Sequence, residues 1–208
     1  MVHVDTSEPR ALRNPEAVAA RHALLTLSHV ALLAAYVAEL RLRYASGWEF
    51  PDFDPLDGGI EADMLFLLEK PGPMTSPKHR RIGSGFVSRD NNDPTAEATS
   101  RFMRDAGIDR RRTVLWNTIP GWNKTIEIGR GGRARGIAEL PGLLKLLPRV
   151  RTVVLVGKQA HRAEPELASI GMRVFKSAHP STRVRNSLPE LWYRIPVQWS
   201  EAAAQPVL

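Results

Sequence analysis

The sequence predicts an α/β fold, a three-layer α/β/α sandwich around a central four-stranded parallel sheet. Four short apolar runs carry this prediction, at residues 64–68, 113–117, 152–156 and 172–175. Such short runs, bounded by turn residues or polar side chains, are typical of strands that are buried on both faces of a sheet. Helix-forming segments separate the runs, and strands that alternate with helices form parallel sheets with right-handed crossovers.

The chain of 208 residues is long enough for one globular domain with a full core. We expect residues 1–60 to form an N-terminal helix and a loop that pack on the core. Residues 61–208 then form the α/β domain. Charged residues make up 25% of the chain and hydrophobic residues 43%, which is ordinary globular composition.

The N-terminal helix has a clear start signal in Asn14-Pro15-Glu16. This segment combines a capping side chain, a proline at the first helical position and a carboxylate near the positive end of the helix dipole. We predict that this helix continues to about Tyr44. A loop rich in glycine and proline is expected over residues 45–62.

Two long irregular segments are expected after the first two strands, over residues 70–93 and around the glycines and arginines of 121–136. Loops this long in a compact domain are usually functional or disordered. Between them, Asp93-Pro94-Thr95 predicts a helix start, and Gly107 follows the end of that helix. Further helices are predicted over 137–147, over 158–168 and near 187–194.

The composition excludes several classes of function. The chain contains no cysteine, so it has no disulfide, thiolate zinc site, cysteine nucleophile or cysteine-bound iron–sulfur cluster. It has no dinucleotide-binding fingerprint and no phosphate-binding P-loop, and we expect no cofactor and no metal. The formal net charge of +7 is compatible with a polyanionic partner.

The N-terminal part of the chain is the part that could carry a membrane span or a signal peptide. The segment 23–38 is rich in alanine and leucine, but it is short for a membrane span and is closed by Arg21 and Glu39. The first residues have no basic segment followed by an apolar run, as a signal peptide would. We therefore expect a protein that does not enter a membrane, and we place it in the cytoplasm, whose reducing conditions suit a chain without cysteine. We also expect a monomer.

Polar side chains follow three of the predicted strands: Glu69, Asn117 and His179. The carboxyl ends of parallel strands share one edge of a sheet, where ligands bind in open α/β folds. We therefore predict one site there. Other interpretations stay open for each residue. Glu69 could form a solvated surface pair with Lys70, Asn117 could satisfy loop backbone, and His179 could cap a helix or lie in the core.

Five segments of the chain occur in an order and at a spacing that resemble a known family. They are Leu68-Glu69-Lys70-Pro71-Gly72, Gly85-Phe86-Val87, Trp116-Asn117-Thr118, residues 155–160 and His179-Pro180-Ser181. Together they resemble the uracil-DNA glycosylase superfamily, most closely its thermophilic-type families. The first looks like the motif Gly-Glu-Ala-Pro-Gly, and the last looks like the terminal motif of the superfamily. The resemblance extends from residue 63 to about 183.

This resemblance implies a monofunctional DNA glycosylase that hydrolyses the N-glycosidic bond of uracil or a related deaminated base in DNA, as in base excision repair. Such an enzyme flips the nucleotide out of the duplex into a pocket. The implied catalytic residues are Glu69 and His179. The implied base-binding residues are Phe86, which stacks on the base, and Asn117, which reads its edge. The implied DNA phosphate contacts are Ser181, Arg183 and Arg185.

The chain departs from the family pattern in two ways. Leu68 stands where the first motif has glycine and Lys70 where it has a small residue, and a leucine there reshapes the pocket floor. The closest families also bind an iron–sulfur cluster through four cysteines, which this chain lacks. One alternative is therefore a non-catalytic, nucleic-acid- or nucleotide-binding member of the superfamily. Another is an unrelated small-molecule enzyme with the same fold, because fold does not fix function.

Overall fold

A computed structural model describes residues 8–44 and 47–204 of the chain. The first seven residues of the predicted N-terminal region and the last four of the predicted α/β domain lie outside these ranges. A parallel sheet of four strands forms the centre, in the order β4-β2-β5-β6, which confirms the predicted parallel sheet. The strands are β1 (Asp52–Phe53), β2 (Met64–Leu68), β3 (Phe86–Val87), β4 (Thr113–Asn117), β5 (Thr152–Val156) and β6 (Arg173–Ser177).

Seven α-helices surround this sheet in the described part of the chain, and several short 3₁₀ turns join the elements. The helices are α1 (Pro15–Ala23), α2 (Ser28–Arg43), α3 (Pro94–Asp105), α4 (Arg130–Lys145), α5 (Glu164–Ser169), α6 (Thr182–Ser187) and α7 (Pro189–Ala203). None of these helices alone is long and apolar enough to cross a membrane. Among the described residues, α1 with its following turn reaches the necessary length and apolar character only when it is taken together with α2. That pair is bent by 97°.

Helices cover both faces of the central sheet, as an α/β/α arrangement requires. On one face, the Phe66 ring of β2 meets Trp199 of α7 edge-on at 5.0 Å between ring centroids. On the other face, Trp116 of β4 stacks on Phe53 at 3.9 Å and lies 6.5 Å from Tyr36 of α2. These rings are buried, so each face of the sheet is closed by aromatic packing against a different layer.

A two-stranded parallel sheet, which the sequence analysis did not predict, joins β1 to β3. Each of its strands has only two residues, which is too short for a recognisable alternation of apolar and polar side chains. This small sheet fixes the end of the long segment 70–93 against the segment that precedes β2. The segment 70–93 is therefore ordered along much of its course.

The predicted helix from residue 15 to about 44 is wrong, because the chain breaks it at Leu27. This residue is extended, with φ −63° and ψ 143°, and the two halves meet at 97°. The predicted start is confirmed, since the Asn14 side chain accepts a hydrogen bond from the Glu16 N–H at 2.9 Å. The bend lets α1 bring Arg21 into a buried cluster while α2 packs against β1.

Three other helix boundaries differ from the sequence prediction. The helix predicted over 158–168 is an α-helix only from Glu164, after a 3₁₀ turn over Ala160–Ala163. Helix α4 begins at Arg130 instead of residue 137, although glycines occupy its first turns. One of them, Gly136, lies so close to the end of β4 that a Cβ atom would be 1.9 Å from the Thr118 carbonyl oxygen. Close packing thus outweighs the poor helix propensity of glycine. Helix α7 extends to Ala203, far beyond the predicted segment near 187–194.

A cluster of six charged side chains joins the N-terminal helix to the α/β core. Arg21 on α1 bonds to Asp54 and Asp90 at 2.6 and 3.1 Å. The guanidinium of Arg110, just before β4, bonds to the same two aspartates at 2.7 and 2.8 Å and to a third at 2.9 Å. We call this set the buried ionic cluster; its members are Arg21, Asp54, Asp57, Arg89, Asp90 and Arg110.

Burial and charge act in opposite directions on the carboxylates of the buried ionic cluster. Burial alone would raise the pKa of Asp54, but Arg110 and Arg21 hold it below its ordinary value. For Asp57 burial prevails over the attraction of Arg89 and raises the pKa to about 6. Asp54 is therefore the carboxylate of the buried ionic cluster whose negatively charged form is most favoured.

We expect Asp54→Asn to destabilise the protein by about 3–5 kcal/mol, because it leaves buried arginines without their counter-charge. Urea unfolding followed by circular dichroism measures this change. The matched control is Glu97→Gln, which neutralises the half-exposed carboxylate paired with Arg10 and should change stability by less than about 1 kcal/mol. Equal stabilities of the two variants would contradict the importance of the buried ionic cluster.

Candidate functional site

A cavity of about 320 Å³ opens at the carboxyl edge of the sheet. The ends of β2 and β4, the segment 71–75, the start of α3 and the loop after β6 form its walls. Its volume lies near the lower end of the range of about 300–1,000 Å³ for small-molecule sites. Both apolar and polar side chains line its walls; among them are Leu68, Lys70, Val87, Arg89, Asp93, Asn117 and His179.

The buried amide of Asn117 faces this cavity from the end of β4. The residue as a whole is 3% exposed, and its side chain forms no hydrogen bond within the described residues. Its amide atoms are not among the described polar atoms that are cut off from solvent without a partner, so the amide is open to the cavity and can bond to a ligand or to water there. The alternative in which Asn117 satisfies loop backbone finds no support in these contacts.

His179 lines the same cavity from the loop that follows β6. Burial lowers the pKa of its imidazole below the ordinary value, while the carboxylates of Glu69 and Asp93 act in the opposite direction. A neutral imidazole offers one donor and one acceptor. The structure therefore brings together two of the predicted site residues, Asn117 and His179, and two carboxylates lie close enough to influence the pKa of the imidazole.

Glu69 lies behind this cavity and does not line it. Its carboxylate accepts a hydrogen bond from the Gln159 N–H at 2.9 Å, in the turn that follows β5. Gly157 in that turn has φ +97°, and a Cβ atom there would lie 2.5 Å from the Glu69 carboxylate. Glycine thus makes room for Glu69, which is not half of a solvated ion pair with Lys70.

Alternation of side chains along the extended chain explains this placement of Glu69. Backbone hydrogen bonds from Thr118 to Leu68 at 2.8 Å and from Ile119 to Glu69 at 3.0 Å continue the pairing of β2 with β4 past the end of the strands. Successive side chains of an extended segment point to opposite sides. Leu68 and Lys70 therefore line the cavity, while Glu69 points to the β5 turn.

Lys70, one of the departures from the family motif, holds a neighbouring loop in place. Its ammonium donates to the Asn123 side chain at 2.6 Å and to the carbonyls of Thr125 and Glu127 at 2.6 and 2.9 Å. The same ammonium lies 5.7 Å from the centroid of the Trp122 ring. The lysine thus fixes the segment 122–127 to the cavity wall.

Phe86 lies away from the other predicted site residues. It is 0% exposed, its ring packs against His22 at 4.4 Å between centroids, and it does not line the cavity. The next residue, Val87, does. The alternation of side chains along β3 separates the two, so the structure does not bring the predicted base-stacking ring to Asn117.

The predicted phosphate-binding residues follow His179 on and beside α6. Ser181 caps this helix, with its hydroxyl accepting from the Val184 N–H at 3.4 Å. Arg183 and Arg185 are exposed. Arg185 lines a second groove, with Arg101 of α3 and Tyr193 of α7, outside the cavity that holds Asn117.

Besides Lys70, two charged residues of the cavity wall were not among the predicted site residues. Asp93 caps α3 through the N–H groups of Thr95 and Ala96, and burial raises its pKa. Arg89 belongs to the buried ionic cluster and bonds to Thr113 of β4. The helix start at Asp93 was readable from the sequence, but its proximity to His179 depends on the fold.

Comparison with known proteins leaves this site without an assigned relative. Neither a scan against models of protein families nor a search of curated proteins finds a match to the chain. Within the described residues, no group of three or more histidine, aspartate or glutamate side chains could hold a metal ion. The arrangement itself suits a planar polar heterocycle, held between apolar walls and read by one amide and one imidazole.

We expect the imidazole of His179 to titrate below pH 6.5, because burial disfavours its cation. Below that pH the unfolded chain takes up the proton more readily than the folded protein, so this group lowers stability as the solution becomes acidic. Proton NMR follows the imidazole resonance, which is assigned by its loss in His179→Gln. A midpoint above 6.5 would contradict the buried, neutral imidazole.

Proposed function

We propose that this protein is a DNA glycosylase that removes uracil or a related deaminated base from DNA. The observation that supports this best is the Asn117 amide, which forms no hydrogen bond within the described residues and lines the same cavity as His179. A duplex hides the glycosidic bond, so such an enzyme has to flip the nucleotide into a pocket of this kind. The resemblance of the segments around these residues to the superfamily supports the same reaction.

The amide of Asn117 is suited to reading the edge of uracil. A side-chain amide has a carbonyl oxygen that accepts and an NH₂ group that donates, fixed in one plane. Uracil presents a ring N–H beside a carbonyl oxygen, which pairs with both. Cytosine presents the opposite donor and acceptor pattern there, so a fixed amide orientation discriminates between the two bases.

Hydrolysis of the glycosidic bond moves charge in a defined direction. The bond between the sugar carbon and the base nitrogen breaks, its electron pair stays with the base, and positive charge develops on the sugar. Water then adds to the sugar carbon and loses a proton. His179 donates a hydrogen bond to the base oxygen that becomes negative, and a donor so placed is typically worth roughly 10²–10³ in rate. Glu69 contributes negative charge that favours the sugar cation.

We expect Asn117→Asp to lower kcat/KM for uracil release by roughly 10²–10³, because a carboxylate donates nothing and repels the developing negative charge. Release of free base from uracil-containing oligonucleotides measures the rate. The matched control is Asn14→Asp, the same chemical change at the cap of α1, where aspartate is an equally good cap and activity should be unchanged.

The outcome of that assay also tests the catalytic proposal itself. The catalytic proposal is wrong if the wild-type protein releases no base from single- and double-stranded substrates that carry uracil, hypoxanthine or xanthine. Release at the wild-type rate by Asn117→Asp would place base recognition elsewhere in the cavity. Circular dichroism establishes whether each variant is folded.

A second candidate function is a nucleic-acid- or nucleotide-binding protein without catalysis. One observation favours it: the Glu69 carboxylate is bonded to the turn after β5 and does not line the cavity. A carboxylate that serves only to hold that turn would leave the cavity able to bind a base and unable to cleave the bond.

Glu69→Gln separates these two candidates. Glutamine keeps the oxygen that accepts from Gln159 and removes only the charge, so the turn should stay intact. For the glycosylase we expect the rate of base release to fall by at least about 10²-fold with DNA affinity retained, because the sugar cation loses its stabilising charge. If wild-type protein binds DNA in a salt-sensitive manner without base release, and Glu69→Gln binds equally well, the non-catalytic function is correct.

A further inference from the structure

A second groove, of about 220 Å³, lies between α3, α6 and α7. Arg101 from α3, Arg185 from α6 and Tyr193 from α7 line it. Tyr193 is 73% exposed, so the face of its ring is accessible to a partner. The groove therefore combines two cations with one accessible aromatic face.

The charges of this groove are available to a partner. Within the described residues, neither Arg101 nor Arg185 forms an ion pair, and Asp105 is the one acidic residue that lines the groove. The Arg101 guanidinium lies over the rings of Phe102 and Trp192, at 5.0 and 5.9 Å from their centroids. A guanidinium held on ring faces is positioned while its N–H groups remain free to donate.

Two elements border both the cavity and the groove. The first turns of α3, up to Thr99, line the cavity, and Arg101 lines the groove from another face of the same helix. The loop that carries His179 in the cavity leads into α6, which carries Arg185 in the groove. The groove and the cavity are thus built in part by the same segments of the chain.

We propose that this groove binds the nucleic-acid strand beyond the nucleotide that enters the cavity. Arg101 and Arg185 contact phosphates, and Tyr193 stacks on a base. The proposal rests on nucleic-acid binding at the cavity, which the glycosylase and the non-catalytic candidate have in common.

A pair of oligonucleotides of different length tests this groove. Both are single strands with one 2′-fluoro-deoxyuridine, which resists cleavage because the fluorine disfavours the sugar cation. The short one extends about two nucleotides on each side of that residue, and the long one about ten. Fluorescence anisotropy at several salt concentrations gives the affinity and its salt dependence for the full-length protein.

We expect Arg101→Gln and Arg185→Gln each to reduce the slope of log affinity against log salt by about 0.7, the value for one phosphate contact on a single strand. This change should occur with the long strand only. Tyr193→Ala should weaken binding of the long strand by about 5- to 100-fold through lost stacking, with the slope unchanged, and Tyr193→Phe should bind like the wild type.

Two controls make the result specific to the groove. Arg149→Gln removes an exposed arginine from the opposite edge of the sheet, near Asp109 and Arg111, and should leave both slopes unchanged. Thermal unfolding of each variant excludes loss of fold. Equal slopes for wild type and the groove variants, or no gain in affinity from the longer strand, would overturn the proposal. So would binding of the long strand that is independent of Tyr193.

Failure of the proposal and failure of the catalytic function give different results. If the protein releases base from uracil-containing strands but binds the long strand no better than the short one, the groove proposal is wrong and the glycosylase stands. If it releases no base but shows the groove-dependent salt slopes, the catalytic proposal is wrong and the groove is a nucleic-acid-binding surface.

Discussion

Three arginines and three aspartates meet in a cluster that is buried except for the partly exposed side chain of Arg110, and the geometry of the candidate site depends on this buried ionic cluster. It joins α1 through Arg21 to the segment before β2, to the segment that precedes α3 and to the start of β4. Removing such charges from water is unfavourable, and the attraction among them offsets that only in good geometry. The bonds of Arg110 to three carboxylates supply this geometry. An apolar cluster would not fix the distances between these segments in the same way.

The cavity is formed by the segments that the buried ionic cluster holds. Arg89 belongs to both, since it bonds to Asp57 and also lines the cavity. Asp93, three residues beyond Asp90, caps α3 and lies close enough to His179 to influence its pKa. The order of the segment 70–93 therefore follows from the charges at its C-terminal end and from the pairing of β3 with β1. This explains how the chain builds a defined pocket without cysteines to hold its loops.

The sequence was sufficient for the central sheet because buried parallel strands have a strong and simple pattern. All four apolar runs became strands, and the ends of two of them placed Asn117 and His179 on one cavity. The bend at Leu27 and the early start of α4 were not readable, since tertiary packing decides both. Gly136 illustrates the difficulty: glycine predicts a loop by propensity, while here it permits close approach of a helix to a strand end. The position of Phe86 likewise depends on a two-residue strand that carries no recognisable period.

The position of the Glu69 side chain limits the role that its carboxylate can have in catalysis. The pairing of β2 with β4 continues past Leu68, so residues 68 and 70 line the cavity and residue 69 points away from it. Glu69 is not among the residues that line the cavity, so its carboxylate is not placed to orient water inside it. Its charge still acts over several ångströms where little water intervenes, because the interaction falls only with distance and is weakly screened. A carboxylate beside a sugar cation can either orient the attacking water or stabilise the cation by its charge. This geometry permits the second role. Leu68 and Lys70 do not displace Glu69 from that role, since they occupy the other side of the same extended segment.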